Sequence, residues 1–111
     1  MKIKKYTVNT NNRKNDVTYI NIYPKNSIAF SWLDGLVEDL NSKFNYQLYD
    51  KADGVDEAIR ELRKGSNKIR LIYDDFWGVE IHPLDADAEA DLKEIGAYLK
   101  KRLESQFEED E

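Results

Sequence analysis

The sequence has no cysteine, one histidine and two prolines in 111 residues. Without cysteine there is no disulfide, no thiolate nucleophile, no cysteine-ligated zinc and no iron–sulfur cluster. A single histidine, His82, leaves the usual zinc sites without ligands. Any Ser-His-Asp arrangement would depend on that one ring, and no G-x-S-x-G turn accompanies it. The five glycines are scattered, so there is no phosphate-cradling loop and no dinucleotide fingerprint. No apolar run approaches the ~18 residues of a membrane span. Lys2, Lys4 and Lys5 are not followed by an apolar stretch, so no secretory leader is expected. The expectation is a cytoplasmic, bacterial-type domain with no cofactor, no bound metal and no membrane association.

What is present suits a folded chain. Hydrophobic residues make up 41% and aromatic residues 12%, enough for a core and too many for a disordered segment. At this length one core is expected, over residues 1–107, with Glu108-Glu109-Asp110-Glu111 as a disordered acidic tail. The net charge of −5 hides an asymmetry. Residues 1–73 carry 13 basic and 9 acidic side chains, whereas residues 74–111 carry 4 and 13. A concentration of acid attracts basic partners and repels nucleic acid and anionic membranes. It also describes an ordinary solvated helix face followed by a frayed tail.

The pattern along the chain predicts a strand over 2–8, a polar loop over 9–16 and a strand over 17–23 that Pro24 stops. Asn26-Ser27 can cap a helix whose apolar stripe is Ile28, Trp32, Leu33, Leu36, Leu40 and Phe44, with Val37 beside it. Gly35 inside that helix suggests a close packing contact. A short strand over 46–50 and a turn at Asp53-Gly54 follow. In 55–64, Val55, Ala58, Ile59 and Leu62 stand at helical spacing and Gly65 suits a helix end, so a short helix is favoured. The competing reading is a strand over about 57–63 that turns through Lys64-Gly65-Ser66-Asn67. Strands over 68–74 and 79–82 flank a hairpin loop, with Gly78 where a positive φ is needed. Asp85 or Asp87 caps a final helix whose stripe is Ala88, Leu92, Ile95, Leu99 and Leu103. The fold expected is α+β: two layers, an antiparallel sheet of five or six strands with two long amphipathic helices on one face.

Few residues suggest chemistry. Asp74, Asp75, Glu80 and His82 lie near one hairpin and could in principle hold a divalent cation or act as acid and base. Adjacent strand residues point to opposite faces, which argues against Asp74 and Asp75 sharing a ligand. The acids of Asp85-Ala86-Asp87-Ala88-Glu89-Ala90-Asp91 alternate as in a calcium loop, but Ala90 and Gly96 occupy the positions where an EF-hand needs Gly and Glu. Lys2, Lys4, Lys5, Arg13, Lys14 and Lys25 interleave with Tyr6, Tyr19 and Tyr23, a weak single-strand nucleic-acid pattern that the acidic C-terminal third opposes. Phe76 and Trp77 at the hairpin tip, between Asp74-Asp75 and Glu80, either fold back on the core or anchor a partner.

The stretch Tyr73-Asp74-Asp75-Phe76-Trp77-Gly78-Val79-Glu80-Ile81, followed by an amphipathic helix, resembles in kind the small acidic immunity proteins of bacterial toxin systems. That resemblance covers about the last third of the chain. It implies a non-enzymatic protein that binds and occludes a basic partner such as a toxin nuclease. It carries no catalytic residue. The partner-binding residues expected are Asp74, Asp75, Phe76, Trp77 and Glu80, then Asp85, Asp87 and Asp91. The alternatives are an acidic mimic of nucleic acid that inhibits a DNA- or RNA-binding protein, a small enzyme using His82, and a structural domain that forms a homodimer.

Overall fold

Alternation of apolar and polar residues builds most of the molecule. The structure, a computed structural model, describes residues 3–4, 6–12, 18–24, 30–74, 78–105 and 108–109. In chain order these form β1 (Ile3–Lys4), β2 (Tyr6–Asn12), β3 (Thr18–Pro24), α1 (Phe30–Phe44), β4 (Gln47–Asp53), β5 (Glu57–Lys64), β6 (Asn67–Asp74), β7 (Gly78–Pro83), α2 (Ala86–Ser105) and β8 (Glu108–Glu109). Six strands make an antiparallel sheet in the order β2-β3-β7-β6-β5-β4. The two short end strands, β1 and β8, pair separately, Ile3 with Glu109 and Lys4 with Glu108. The α+β class and the strand number agree with the sequence pattern. Among the described residues no helix is long and apolar enough to cross a membrane.

The register places one apolar face in line across the central strands. Leu62 stands opposite Ile69, Ala58 opposite Tyr73, Tyr73 opposite Val79, Leu71 opposite Ile81, and Ile81 opposite Ile20. These side chains form one buried cluster with Leu33, Leu36, Val37 and Leu40 of α1 and with Ala88, Leu92, Ile95 and Leu99 of α2. The other face of β5, β6 and β7 carries Glu61, Arg63, Arg70, Ile72, Glu80 and His82, which are only half-buried, and Ile59, which is exposed. The helix stripes are those expected from their spacing, apart from residues outside the description: the Asn26-Ser27 cap, Ile28, and the side chains of Trp32 and Leu103. Asn45, at φ 64°, closes α1, and the Asn41 amide donates to the Tyr46 carbonyl (2.9 Å).

Three expectations are corrected. Residues 55–64 are not a helix: 57–64 form β5, hydrogen-bonded to β4 on one side and β6 on the other. Ala58, Arg60 and Leu62 point inward at strand period, and the helical spacing of Val55, Ala58, Ile59 and Leu62 is coincidental; Val55 and Ile59 are exposed. Gly65 is therefore no helix end. At φ 61° it opens the two-residue connection from Lys64 to Asn67. The polar residues Asn9 to Asn12 continue β2 rather than looping out, because Asn21 to Thr18 offer them a complete antiparallel ladder. Gly35 packs against nothing: it is exposed, and a Cβ there would meet no atom within 4 Å.

Gly35 thus costs α1 stability without a contact to show for it. Gly35→Ala is expected to stabilise the protein by about 0.5–1 kcal/mol through helix propensity and unfolded-state entropy. Urea unfolding with an unchanged m-value checks this; a loss of stability would mean that the backbone there needs glycine.

Candidate functional site

Of the expected partner-binding residues that are described, Asp74 lies at one end of β6, Asp85 and Asp91 near the other, and Glu80 on β7. Asp74 is the last residue of β6, opposite Gly78 on β7 and Glu57 on β5. Gly78 takes φ 77°, the positive φ expected of the hairpin. Asp75, Phe76 and Trp77 lie outside the described residues. Glu80, on β7, receives His82 Nε2 on its Oε1 (2.8 Å). The His82 ring stacks on Tyr19 at 5.0 Å and 8°, and its buried Nδ1 has no hydrogen-bond partner. The ring is held as a packing and hydrogen-bonding group between β3 and β7. Among the described residues no cluster of three His, Asp or Glu is arranged to hold a metal ion.

Asp85, Asp87 and Asp91 lie near the start of β6, a strand length of roughly 20 Å from Asp74. Asp85 is the α2 cap, rather than Asp87. Its Oδ1 accepts from the Ala88 backbone N–H (2.8 Å) and its Oδ2 from the Lys68 backbone N–H (2.8 Å). One carboxylate therefore satisfies an orphan donor of the helix and ties it to β6. Asp87 is exposed in the first helical turn, where its charge suits the macrodipole. Asp91 is an acceptor for three groups: the Tyr46 hydroxyl (2.8 Å), the Lys64 ammonium (2.7 Å) and the Asn67 amide (3.4 Å). It joins α2 to the starts of β4 and β6 and to the end of β5.

Burial alone would raise the pKa of Asp91, but the Lys64, Tyr46 and Asn67 hydrogen bonds outweigh it and hold the carboxyl below its usual range. Tyr46 is fully buried; burial first, and then the Asp91 carboxylate, push its hydroxyl well above the ordinary tyrosine value.

Asp74 does have acidic neighbours, but ones the sequence pattern did not single out. The pairing of β5 with β6 sets Glu57 directly across from Asp74. The β4–β5 connection adds Asp56, turned by the Gly54 N–H donating to the Glu57 carbonyl (2.7 Å), and Asp53 ends β4 just before it. Val55 sits in that turn 93% exposed. A signal existed in Asp53-Gly54-Val55-Asp56-Glu57, but it reads as a site only once residues 57–64 are a strand beside β6. Asp53 is partly committed, receiving Arg60 Nη1 at 2.6 Å. Comparison of the chain with models of known protein families, with characterised proteins and with solved structures gives no match.

Two predictions follow from the structural acids. Asp85→Ala removes two backbone hydrogen bonds and is expected to cost about 1–2 kcal/mol in denaturant unfolding, with Asp85→Asn intermediate. Asp91, with its folded pKa depressed, contributes stability that is present above its unfolded pKa of about 3.9 and is lost as pH falls through the folded value. Asp91→Asn should therefore be less stable than the wild type at neutral pH and flatter below about pH 4 in a pH–stability profile. An unchanged acid limb would contradict this assignment.

Proposed function

We propose that the chain is a non-enzymatic binding protein that docks a basic protein partner against the acidic end of its sheet. In this reading both helices cover one face and the acidic end of the sheet is the contact surface. The observation that carries it is the Glu57–Asp74 register. Like charges directly opposite each other on a sheet are destabilising by some tenths of a kcal/mol. Here they stand beside a turn bearing Asp56 and the exposed Val55. Carboxylates set side by side next to an exposed apolar side chain suit a partner rich in Lys and Arg. Asp75 and Trp77, which follow Asp74 in the chain, belong to the same proposal on sequence grounds. Occlusion of a toxin's basic substrate groove, the role of the immunity proteins that the hairpin resembles, fits this chemistry.

The test is affinity capture from the source lysate, with the adjacent reading frame co-expressed, at low and moderate salt. One stoichiometric basic protein should be retained at moderate salt and lost by the Glu57→Gln/Asp74→Asn variant. Glu57→Gln alone should leave the fold at least as stable, gaining about 0.3 kcal/mol. Equal capture by wild type and double variant would refute the reading. Many nucleic-acid-binding proteins, all released as salt rises, would favour mimicry instead.

A further inference from the structure

We infer that β4 is a strand-addition site, whose free edge takes up an extended, lysine- or arginine-bearing segment of the partner. The inference rests on the reading above that the partner is basic, and it adds where and how the partner engages. β4 is the last strand of the sheet, and all seven of its residues are exposed. Its outer backbone donors and acceptors meet no further strand among the described residues. Leu48 is 47% and Tyr49 60% exposed, so this edge shows apolar surface as well. Beside it, Asp50, Lys51, Ala52, Ile59, Glu61 and Arg70 line a shallow groove of about 180 Å³.

One carboxylate of the groove suits a basic side chain, although Lys51 and Arg70 line it as well. Asp50 stands directly opposite Glu61, a second like-charge pair across strands. Glu61 is held by Arg63 (3.0 Å) and Arg70 (3.6 Å), whereas Asp50, whose Oδ1 accepts from the Lys51 backbone N–H (2.9 Å), has no ion pair among the described residues and is the carboxylate left to meet an incoming cation. Ala52 and Ile59, cross-strand neighbours, provide an apolar bed for the stem of a lysine or arginine. Strand addition obtains affinity from the main chain and specificity from alternate side chains, and both elements are present here.

A second copy of the chain is a poor occupant. Two-fold antiparallel pairing sets one residue opposite its own copy. Centred on Asp50 or Lys51, that pairing opposes like charges. Tyr49 is the bulged residue, where the ladder shifts register between Leu48 and Asp50. Residues 47–57 also carry four acids and one base, a net negative charge that disfavours a second copy. The bulge and Lys51 discourage pairing of this edge in general, and the net acid of residues 47–57 favours a basic strand over a second copy.

The experiment uses the full chain, an acetylated and amidated (Val-Lys)4 peptide as probe, and its (Val-Glu)4 counterpart as control, at moderate salt. The lysine peptide should slow amide exchange within residues 47–53 by about tenfold or more, and the glutamate peptide should not. Asp50→Lys should abolish the protection, as should Ala52→Lys, with thermal melts confirming that each variant is folded. Protection elsewhere, no protection, or protection insensitive to Asp50→Lys would overturn the inference. So would a dimer of the protein alone with β4 amides already protected, since the occupant would then be a second copy. Capture of the lysate partner separates the two readings. Loss in Glu57→Gln/Asp74→Asn with full retention in Asp50→Lys overturns strand addition and leaves the acidic-end contact standing. The reverse pattern supports strand addition and overturns the acidic-end contact.

Discussion

A buried guanidinium fixes the half of the molecule on which the proposed surfaces stand. Arg60 points into the core from the middle of β5 and is 1% exposed. A charge taken so far out of water costs several kcal/mol unless it is matched closely. The match comes from Asp53 of β4 at 2.6 Å, Asp34 of α1 at 3.3 Å and the Ile59 carbonyl at 3.1 Å. Asp34 and Asp53 remain 57% and 41% exposed, so only one member of the set is fully desolvated. The consequence is positional. α1, β4 and β5 must keep their places together or leave the guanidinium unpaired. β4 exposes every residue, so its attachment depends on the β5 ladder and on this ion pair.

Most acids near the core have a comparable task. Asp39 of α1 accepts from the Tyr98 hydroxyl at 3.0 Å and faces Arg102 at 3.2 Å, which links the two helices beside the edge-to-face contact of Phe44 and Tyr98. Burial, and then the Asp39 carboxylate, raise the Tyr98 pKa, as expected of a phenol donating into a partly dry contact. Asp85 and Asp91 anchor α2, and Glu80 holds His82. The excess of acid in residues 74–111 is thus only partly a surface property. The acids of the β4–β5 turn, Asp56 and Glu57, have no such duty among the described interactions and lie exposed. Charge that does no structural work, placed where it opposes more charge, is where a functional explanation is needed.

How far the sequence reads as structure depends on whether a side chain follows its local rule. The α2 stripe, the β6 and β7 alternation and the Gly78 turn were legible because each combines period, cap and turn residue in one direction. β5 was not, because Arg60 occupies an inward position that a binary pattern assigns to an apolar residue, and its ion-pair partners are 7 and 26 residues away. Asn9 to Asn12 misled for a related reason: their own side chains favour loops, but pairing with β3 satisfies the same backbone groups. Gly35 invited a packing explanation that its open surroundings do not support. For the candidate site, single residues such as Asp74 were legible and the constellation was not. Glu57 reaches Asp74 only through the β5–β6 register, and that register is invisible while 57–64 reads as a helix.

The same register joins the two proposed surfaces. β4 ends at Asp53, the chain turns through Gly54, Val55 and Asp56, and β5 begins at Glu57 across from Asp74. A strand laid along the β4 edge would therefore have one end beside that turn. Its backbone would be positioned by β4, one side chain would lie by Asp50, and the residues at that end would meet Asp56 and Glu57. Each contact alone is weak, because exposed ion pairs contribute little and a single added strand orders many residues for few hydrogen bonds. Set along one line, they share the cost of ordering the partner segment once. Steering by the acids would act before docking, and the ladder would set register after it. That division would let a surface this small and this charged select a basic segment over its own edge.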